Sequence, residues 1–331
     1  MTAREKYEAA EAKLLSPEGC RSTDPAMTAR AIPEEKCPYR TDFQRDRDRI
    51  LHCNSFRRLK RKTQVFLSPV GDHYRTRLTH TLEVSQIART ISRCLGLNED
   101  LTEAVALGHD LGHSPFGHCG EAVLNEICPH GFRHYLQSVR VAERLEKDGR
   151  GLNLTAAVLD GIRCHTNMTA STREGCVVRL ADTIAYINHD IEDSIRAGVL
   201  SAEQLPADCV DILGDTKTKR ITALIASVVS HGADHIDFEP EIRLAHDDLR
   251  SFMFRTVYTN PAAKVEEGKA ELLIRKLYSY FRENSRKLPP LYLDIAEECD
   301  IDRGVCDYIS GMSDEYAVDL YTELFVPKFW K

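Results

Sequence analysis

The chain has 331 residues and a formal net charge of −7, and 42% of its residues are hydrophobic. This composition supplies one large core or two modest ones, and the negative charge disfavours nucleic acid as the main partner. No apolar run reaches the ~20 residues of a membrane span. Met1 to Leu15 is charged and Ala-rich rather than signal-like, and the 11 cysteines form no Cys-x-x-Cys pair. We therefore expect a cytoplasmic protein with reduced thiols, no membrane partner and no disulfide framework.

The N-terminal region is predicted to be a short helix followed by an irregular, proline-rich arm that ends near residue 48. The chain is then densely charged. Asp46 to Arg49 is interpreted as a solvated helix face with internal salt bridges. Arg57 to Lys62 is a less balanced basic run, and Val65 to Leu67 is a short apolar element after it.

Two helices are predicted to carry histidines inward. In the first, Thr79 to Leu95, His80 lies on the same helical stripe as Val84. Gly96 stands where a C-terminal cap belongs. Asn98 is a good N-cap for the second helix, with acidic residues in its first turn. His109 follows one turn after the apolar side of that helix, and Asp110 comes directly after it.

Further along, Gly112 is expected to break the helix, and Ser114-Pro115 to begin another as cap and first residue. His118 and Glu121 are three residues apart and would share a face of that helix. A later helix, Cys176 to Ala197, carries Asp182 among apolar residues. Tyr186 and Asp190 follow Asp182 at the fourth and eighth positions. The remaining predicted helices run from Phe132 to Lys147, Leu154 to Cys164, Arg220 to Ser230, Asp247 to Tyr258, Ala270 to Phe281, Leu291 to Glu297 and Arg303 to Gly311.

No fixed-period repeat and no alternating strand longer than four residues is found, so the fold class is predicted to be all-α. The predicted organisation is an N-terminal arm over residues 1–48, a helical core over residues 49–200 and a C-terminal helical region over residues 201–331. The stretch after Gly198 up to Asp215 is expected to be loose because it contains Pro206 and Gly214.

Four candidate metal ligands stand on three predicted helices: His80, His109, Asp110 and Asp182. Imidazoles with carboxylates suit Mg²⁺, Mn²⁺ or another divalent transition metal such as Ni, Co, Fe or Zn. A lone inward histidine is more often a hydrogen-bonded core residue, but a buried aspartate without a partner is costly. The four together therefore favour a metal site. For His118 and Glu121 the alternative is a helix-surface ion pair.

These residues carry a family resemblance. A histidine, a His-Asp pair and a distant aspartate on helices form the pattern of the HD-domain phosphohydrolases. The surrounding motifs Arg77-Leu-Thr-His-Thr-Leu-Glu-Val84, His109-Asp-Leu-Gly-His-Ser-Pro-Phe-Gly-His118 and Asp182-Thr-Ile-Ala-Tyr-Ile-Asn-His-Asp190 closely resemble the dGTPase-like deoxynucleoside triphosphate triphosphohydrolases. The likeness extends from Tyr39-Arg-Thr41 through Phe56-Arg-Arg-Leu-Lys60 and Lys62-Thr-Gln-Val-Phe66 to Asp307-Tyr-Ile-Ser-Gly-Met312. It implies an HD-domain helical core. Residues 49–200 would then be the metal-binding catalytic core, and residues 201–331 would complete the substrate pocket and the oligomer contacts.

The resemblance implies hydrolysis of a dNTP, dGTP or several dNTPs, at the α-phosphate to a deoxynucleoside and tripolyphosphate. It makes His118 and Glu121 the catalytic pair that orients or activates water and handles the leaving-group proton. The other matched residues fall into three groups: His80, His109, Asp110 and Asp182 match metal ligands, Arg77, His113 and His134 match phosphate contacts, and Gln64, Tyr186 and Asp190 match sugar contacts. A homo-oligomer, a hexamer or a tetramer, and activation by a second dNTP are also implied.

Two positions depart from the family pattern. Tyr135 stands where asparagine is common, and Cys119 replaces a common aromatic residue. Two alternatives remain open at this point. Another HD phosphohydrolase, such as a 5′-nucleotidase or a phosphodiesterase, would share the four metal ligands without needing Gln64, Arg77, His118 and Glu121. A metal-bound regulatory or single-stranded nucleic-acid-binding protein with little turnover would use the basic run Arg57 to Lys62.

Overall fold

The computed structural model describes residues 1–64, 75–259 and 261–328, without the side chains of residues 261–265. The helices are α1 Ala3–Leu14, α2 Asp42–His52, α3 Asn54–Arg58, α4 Arg77–Cys94, α5 Glu99–Gly108, α6 Gly117–Ile127, α7 His134–Arg140, α8 Ala156–Cys164, α9 Arg173–Arg196, α10 Ala207–Leu213, α11 Lys217–His231, α12 Pro240–Met253, α13 Pro261–Glu283, α14 Pro290–Glu298, α15 Ile301–Ser310 and α16 Asp314–Phe325. These residues contain no β-strand, only two isolated bridges. The prediction of an all-α fold is confirmed.

Most predicted helices are present with shifted ends. Asn98 caps α5 by accepting from the backbone N–H groups of Asp100 and Leu101. Gly96 follows α4 with a φ of 66°, a conformation that glycine adopts without steric cost. Three helices were not predicted: α3, α10 within the stretch expected to be loose, and α16. Of α2, only Asp46 to Arg49 was predicted to be helical. The short apolar element predicted at Val65 to Leu67 lies outside the described residues.

The chain divides into two compact units. The first consists of Met1–His52, Thr79–His109 and Leu152–Asn260. Within it α5 packs against α2, α8 and α9, and α12 packs against α10. Its core includes the fully buried side chains of Phe43, Val84, Leu101, Ile162 and Ile184. Burying each of these contributes roughly 1.5–3 kcal/mol of transfer free energy, which fixes the helices that carry the candidate ligands.

The predicted solvated face at Asp46 to Arg49 is wrong for Asp46, which is fully buried. Its carboxylate accepts from Arg30 Nη1 at 2.5 Å and from the backbone N–H of Thr155 at 2.7 Å. Burial raises the pKa of Asp46, whereas the Arg30 charge and these hydrogen bonds lower it, with burial the larger effect. Asp46 therefore links α2 to the start of α8 through buried hydrogen bonds.

The second unit consists of Cys53–Leu78, Asp110–Gly151 and Pro261–Lys331. Within it α13 packs against α6, α15 and α16, and α14 packs against α15. Leu124, Ile274, Leu277, Val305 and Ile309 are buried in one hydrophobic cluster. This cluster holds α6 in place, and α6 carries His118 and Glu121.

The predicted helix start at Ser114-Pro115 is wrong, because α6 begins at Gly117. Phe116 precedes it in the left-handed conformation, with a φ of 60°. The Phe116 N–H donates to Asp314 Oδ1 at 2.9 Å, and Ser114 Oγ donates to the Gly117 carbonyl at 3.1 Å. The side chain of Asp314, which is distant in sequence, therefore accepts the backbone hydrogen bond before α6 that the capping rule had assigned to Ser114.

The predicted boundaries after residues 48 and 200 stay a prediction. None of the helices in the described ranges is both long and apolar enough to cross a membrane.

Candidate active site

The first unit brings His80, His109 and Asp182 together. His80 lies in the first turn of α4, His109 directly follows α5, and Asp182 lies in the middle of α9. His80 Nε2 is 3.0 Å from Asp182 Oδ1, and the rings of His80 and His109 meet edge to face with centroids 5.6 Å apart. Both histidines are buried, as their helical stripes predicted. Three donor groups of the kind that bind divalent metals therefore converge.

A backbone contact fixes the tautomer of His109. Its Nδ1 lies 2.7 Å from the carbonyl oxygen of Ala106, and a carbonyl oxygen can only accept a hydrogen bond. Nδ1 therefore carries the ring proton, and Nε2 presents its lone pair. This arrangement is the usual one for histidines that bind metals, because it holds the ring still and points a basic nitrogen at the ion. The donor set thus fits a metal ion.

Asp182 is ionised in this setting. Burial alone would raise the pKa of its carboxyl, but the hydrogen bond from His80 and the neighbouring His109 and His165 lower it to about 2. An anionic carboxylate beside two imidazoles is the charge state that a divalent cation needs.

Three further residues of this unit border the cluster and were missed by sequence reasoning. The ring of His165 meets that of His109 edge to face, with centroids 5.0 Å apart, and its Nδ1 lies 2.7 Å from the Ile162 carbonyl. His189 Nδ1 lies 3.4 Å from His80 Nδ1, and Glu83 contacts His189. Two of them had a sequence signal. Glu83 is three residues after His80, and His189 is two helical turns after Asp182. His165 had none.

In the second unit, Glu121 joins two histidines. Its Oε2 lies 2.9 Å from His134 Nδ1 and 3.6 Å from His118 Nδ1, and its Oε1 accepts from the backbone N–H of His134 at 3.0 Å. Burial alone would raise the pKa of Glu121, but its contacts with His118 and His134 hold that pKa well below the ordinary value. The carboxylate is therefore ionised, while 82% of the His118 side chain is exposed and open to a ligand.

His113 completes this cluster. Its ring stacks on that of His134 with centroids 4.5 Å apart and meets that of His118 edge to face at 5.5 Å. Burial and the nearby charge of Arg77 lower the pKa of His113 well below its ordinary value. His113 is therefore neutral at pH 7 and can donate a hydrogen bond without carrying charge.

Arg77 and Lys62 are buried basic residues of the same unit. Arg77 Nη1 donates to Asp110 Oδ2 at 2.7 Å, while Arg77 Nε is buried with no hydrogen-bond partner in the described part of the chain. Lys62 Nζ donates to the carbonyls of His113 and Ser310, and burial lowers the pKa of Lys62 to about 7. Lys62 is therefore an internal residue that holds the backbone of His113, and it could not be part of the surface footprint that the regulatory or nucleic-acid-binding alternative would use.

The residues matched to sugar contacts lie in different places. Tyr186 and Asp190 share a face of α9 in the first unit, where Tyr258 donates its hydroxyl proton to Asp190 Oδ2. Burial raises the pKa of Tyr186 to about 12, so the phenol is neutral. Gln64, in the second unit, has a buried Oε1 without a hydrogen-bond partner among the described residues. A polar atom in that position is ready for a ligand group.

The predicted site residues thus form two clusters. The first unit holds His80, His109, Asp182, Tyr186 and Asp190, and the second holds Gln64, Arg77, Asp110, His113, His118, Glu121 and His134. Asp110 follows His109 across one peptide bond, so the chain itself joins the two sets.

Comparison with known proteins identifies the lineage. The HD domain family matches residues 77–187, and the phosphohydrolase-associated domain family matches residues 236–323. A deoxyguanosinetriphosphate triphosphohydrolase-like protein of Caldanaerobacter subterraneus subsp. tengcongensis is 55% identical over 333 residues, which cover 100% of this chain and 98% of the relative. A protein of the same description from Clostridium tetani is 46% identical, over 99% of this chain and 97% of the relative.

A crystal structure of a hypothetical protein from Aquifex aeolicus superposes with a TM-score of 0.53 at 20% identity, over 86% of this chain and 68% of that one. At that identity it supports the fold alone. The family matches and the full-length relatives go further, and the resemblance read from the motifs is confirmed: the chain belongs to the deoxyguanosinetriphosphate triphosphohydrolase-like family of HD-domain phosphohydrolases.

Proposed function

We propose that this protein hydrolyses deoxynucleoside triphosphates, dGTP or several dNTPs, to a deoxynucleoside and tripolyphosphate. In this reaction water attacks the α-phosphorus, and the bond from that phosphorus to the 5′ oxygen of the sugar breaks. The observation that supports the proposal most is the contact of His80 Nε2 with Asp182 Oδ1 at 3.0 Å beside His109. This donor cluster occurs in a chain whose full-length relatives are called triphosphohydrolase-like.

His80, His109, Asp110 and Asp182 would hold a divalent metal ion. When bound, such an ion acts as a Lewis acid that draws electron density from the phosphoryl group. The identity of the metal is not set by this donor mixture, because imidazole and carboxylate ligands serve Mn²⁺, Fe²⁺, Co²⁺, Ni²⁺ and Zn²⁺, and Mg²⁺ where carboxylates dominate.

His118 and Glu121 would manage the protons. The Glu121 carboxylate accepts from His134 and lies 3.6 Å from His118 Nδ1, so it can hold a proton-bearing imidazole in a fixed orientation. His118 would then orient the attacking water or supply the proton that the departing 5′ oxygen requires. General acid–base help of this kind contributes typically 10²–10⁴-fold to a rate.

Arg77, His113 and His134 would bind the phosphates. Arg77 Nε is a buried donor without a protein partner in the described residues, and a guanidinium fork matches phosphate oxygens. His113 is neutral, and it would add a donor without a further positive charge. Tyr135 follows His134 where the family often has asparagine, so this position would offer a phenol in place of an amide.

Gln64, Tyr186 and Asp190 would bind the sugar. The unpartnered Gln64 Oε1 can accept from a sugar hydroxyl, and Asp190 is buried and held by Tyr258. A pocket of this kind would reject ribose by leaving no room for the 2′-hydroxyl.

Product analysis tests the proposal. The purified protein would be incubated with Mg²⁺ or Mn²⁺ and each dNTP, alone and in mixtures, or with a dNMP, and the products separated by ion exchange. We expect a deoxynucleoside with tripolyphosphate. A dNMP with pyrophosphate, or free phosphate from a dNMP, would instead identify a phosphodiesterase or a 5′-nucleotidase. Inertness towards every dNTP would favour a regulatory protein.

The finer partner predictions belong to the same proposal: a cytoplasmic homo-oligomer, a hexamer or a tetramer, activated by a second dNTP. A cavity in the second unit supports a polyanion at a regulatory site, because Arg57, Arg58, Lys60 and Arg61 line it with Asn54 and Ser313. Weak binding of single-stranded nucleic acid would use the same cations. If a dNTP mixture activates the enzyme, Lys60→Ala should reduce that activation and leave the basal rate unchanged.

A further inference from the structure

The ring nitrogen of His80 that faces away from Asp182 is the start of a chain of polar contacts. His80 Nδ1 lies 3.4 Å from His189 Nδ1, and His189 Nε2 lies 2.6 Å from Glu83 Oε2. The other oxygen of Glu83 accepts from Lys217 Nζ at 3.2 Å. All four residues belong to the first unit, on α4, α9 and α11.

The tautomer that a metal ion requires of His80 fits this chain of contacts. With a divalent ion bound, His80 Nε2 would give its lone pair to the ion and not a proton to Asp182, so His80 Nδ1 would carry the ring proton. That nitrogen lies 3.4 Å from His189 Nδ1, which can accept from it. His189 Nε2 then faces Glu83 Oε2 at 2.6 Å, and this contact orients the His189 ring.

We propose that His189 and Glu83 are positioning residues that hold His80 in its metal-binding tautomer and orientation. This inference rests on the proposed metal site. His109 obtains the same tautomer from the Ala106 carbonyl, whereas the His80 Nδ1 contact is with the side chain of His189. In the common carboxylate–histidine–metal arrangement, a carboxylate contacts the metal-bound histidine directly. Here the ring of His189 would lie between the Glu83 carboxylate and His80.

The placement of these residues explains how the support stays rigid. Glu83 is one turn after His80 on α4, and His189 is two turns after Asp182 on α9, so the helices that carry the ligands also carry their supports. His189 is fully buried, and 35% of the Glu83 side chain is exposed. Lys217 also contacts Glu192 at 3.3 Å, so the chain of contacts ends at a lysine that two carboxylates share.

Metal affinity tests the proposal without relying on turnover. The dissociation constant for Mn²⁺ would be measured by calorimetric titration of the full chain and of its variants. We expect His189→Leu to weaken Mn²⁺ binding about 10–100-fold, the cost of losing an outer partner of a metal ligand. His189→Asn should recover most of this loss, because its amide oxygen can accept from His80 Nδ1. Equal losses in the two variants would contradict the positioning role.

Glu83→Leu gives a second test, since a partly exposed position tolerates substitution if His189→Leu does not fold. It should also weaken Mn²⁺ binding about tenfold or more. The matched control is Lys217→Met, which removes the outer cation, leaves His189 with Glu83, and should change the affinity less than about twofold. Unchanged Mn²⁺ affinity in Glu83→Leu and in a folded His189→Leu would overturn the proposal.

The outcome separates this inference from the proposed reaction. If the wild-type chain binds Mn²⁺ and the variants weaken it, the positioning role stands even when no dNTP is hydrolysed. If the chain hydrolyses dNTPs and the variants bind Mn²⁺ normally, only the positioning role fails. A wild-type chain that binds no divalent metal would overturn both.

Discussion

The buried negative charge of Asp182 depends on the residues around it. The residue lies in the middle of α9, and its charge is stable there because His80 and His109 face it. We expect Asp182→Ala to weaken divalent-metal binding by more than the roughly 100-fold that loss of an outer partner costs. Mn²⁺ calorimetry measures this directly. Asp160→Ala, which removes an aspartate that instead binds Ser171, is the matched control and should bind Mn²⁺ normally.

His118 behaves differently because its side chain is mostly exposed and contacts Glu121 at 3.6 Å. His118→Ala should keep Mn²⁺ affinity and the unfolding free energy, and lower kcat with dNTP by about 10²–10⁴-fold. His130→Ala serves as control, since His130 is another exposed histidine of the same unit and pairs with Asp300. Full activity in His118→Ala would refute its proton role.

At the scale of elements, the charged groups around Glu34 tie the N-terminal arm to α2. Glu34 contacts Arg45 at 2.6 Å, Arg49 at 2.5 Å and Asn153 at 2.5 Å. Burial alone would raise the pKa of Glu34, but these partners lower it to about 2 from an ordinary value of 4.5. The ionised form is therefore favoured by folding, and this stabilisation is present above pH 4.5 and lost as the pH falls towards 2.

Glu34→Gln should accordingly lower the unfolding free energy at pH 7 by about 1 kcal/mol, the upper range for exposed ion pairs. The difference from wild type should shrink as the pH falls from 4.5 to 3. Urea denaturation at several pH values measures both. A difference that stays constant over that interval would mean that the carboxylate does not titrate with folding.

A second element-scale feature is the close approach of the turn after α5 to α7. A Cβ added at Gly112 would lie 2.1 Å from the backbone nitrogen of Ser138 and 2.8 Å from Gln137 Cβ. Gly112→Ala should therefore cost about 3 kcal/mol or more in unfolding free energy, because backbone has to move. Gly268→Ala in α13 meets nothing within 4 Å and should be neutral or stabilising by up to about 1 kcal/mol. Equal effects in urea denaturation would contradict this account.

Sequence reasoning worked for elements where the local signal and the tertiary structure agree. His80 and His109 were predicted to be buried from helical spacing, and Asn98 was predicted to be a cap from its position. It failed where a distant partner decides. Asp314 holds the backbone of Phe116 and displaces the start of α6, and Arg30 makes Asp46 an internal residue. Periodicity and capping rules do not contain such partners, so these features could not be predicted from the local sequence.

At the scale of the whole molecule, the sequence motifs said more about the family and the site than the order of the predicted helices did. They identified the family that the full-length relatives confirm, and they named residues of both units before the fold was known. They did not reveal that each compact unit is assembled from three separated segments, or that the chain passes from one unit to the other within α4, between Leu78 and Thr79. Such an arrangement depends on long-range helix packing, which leaves no periodic trace in sequence.

The central claim is that water attacks the α-phosphorus of a dNTP. Hydrolysis of dGTP in ¹⁸O-labelled water with Mn²⁺, followed by mass spectrometry of both products, tests it most directly. We predict one ¹⁸O atom in the tripolyphosphate and none in the deoxynucleoside, because the 5′ oxygen stays with the sugar. Label in the deoxynucleoside, or products other than this pair, would contradict the account.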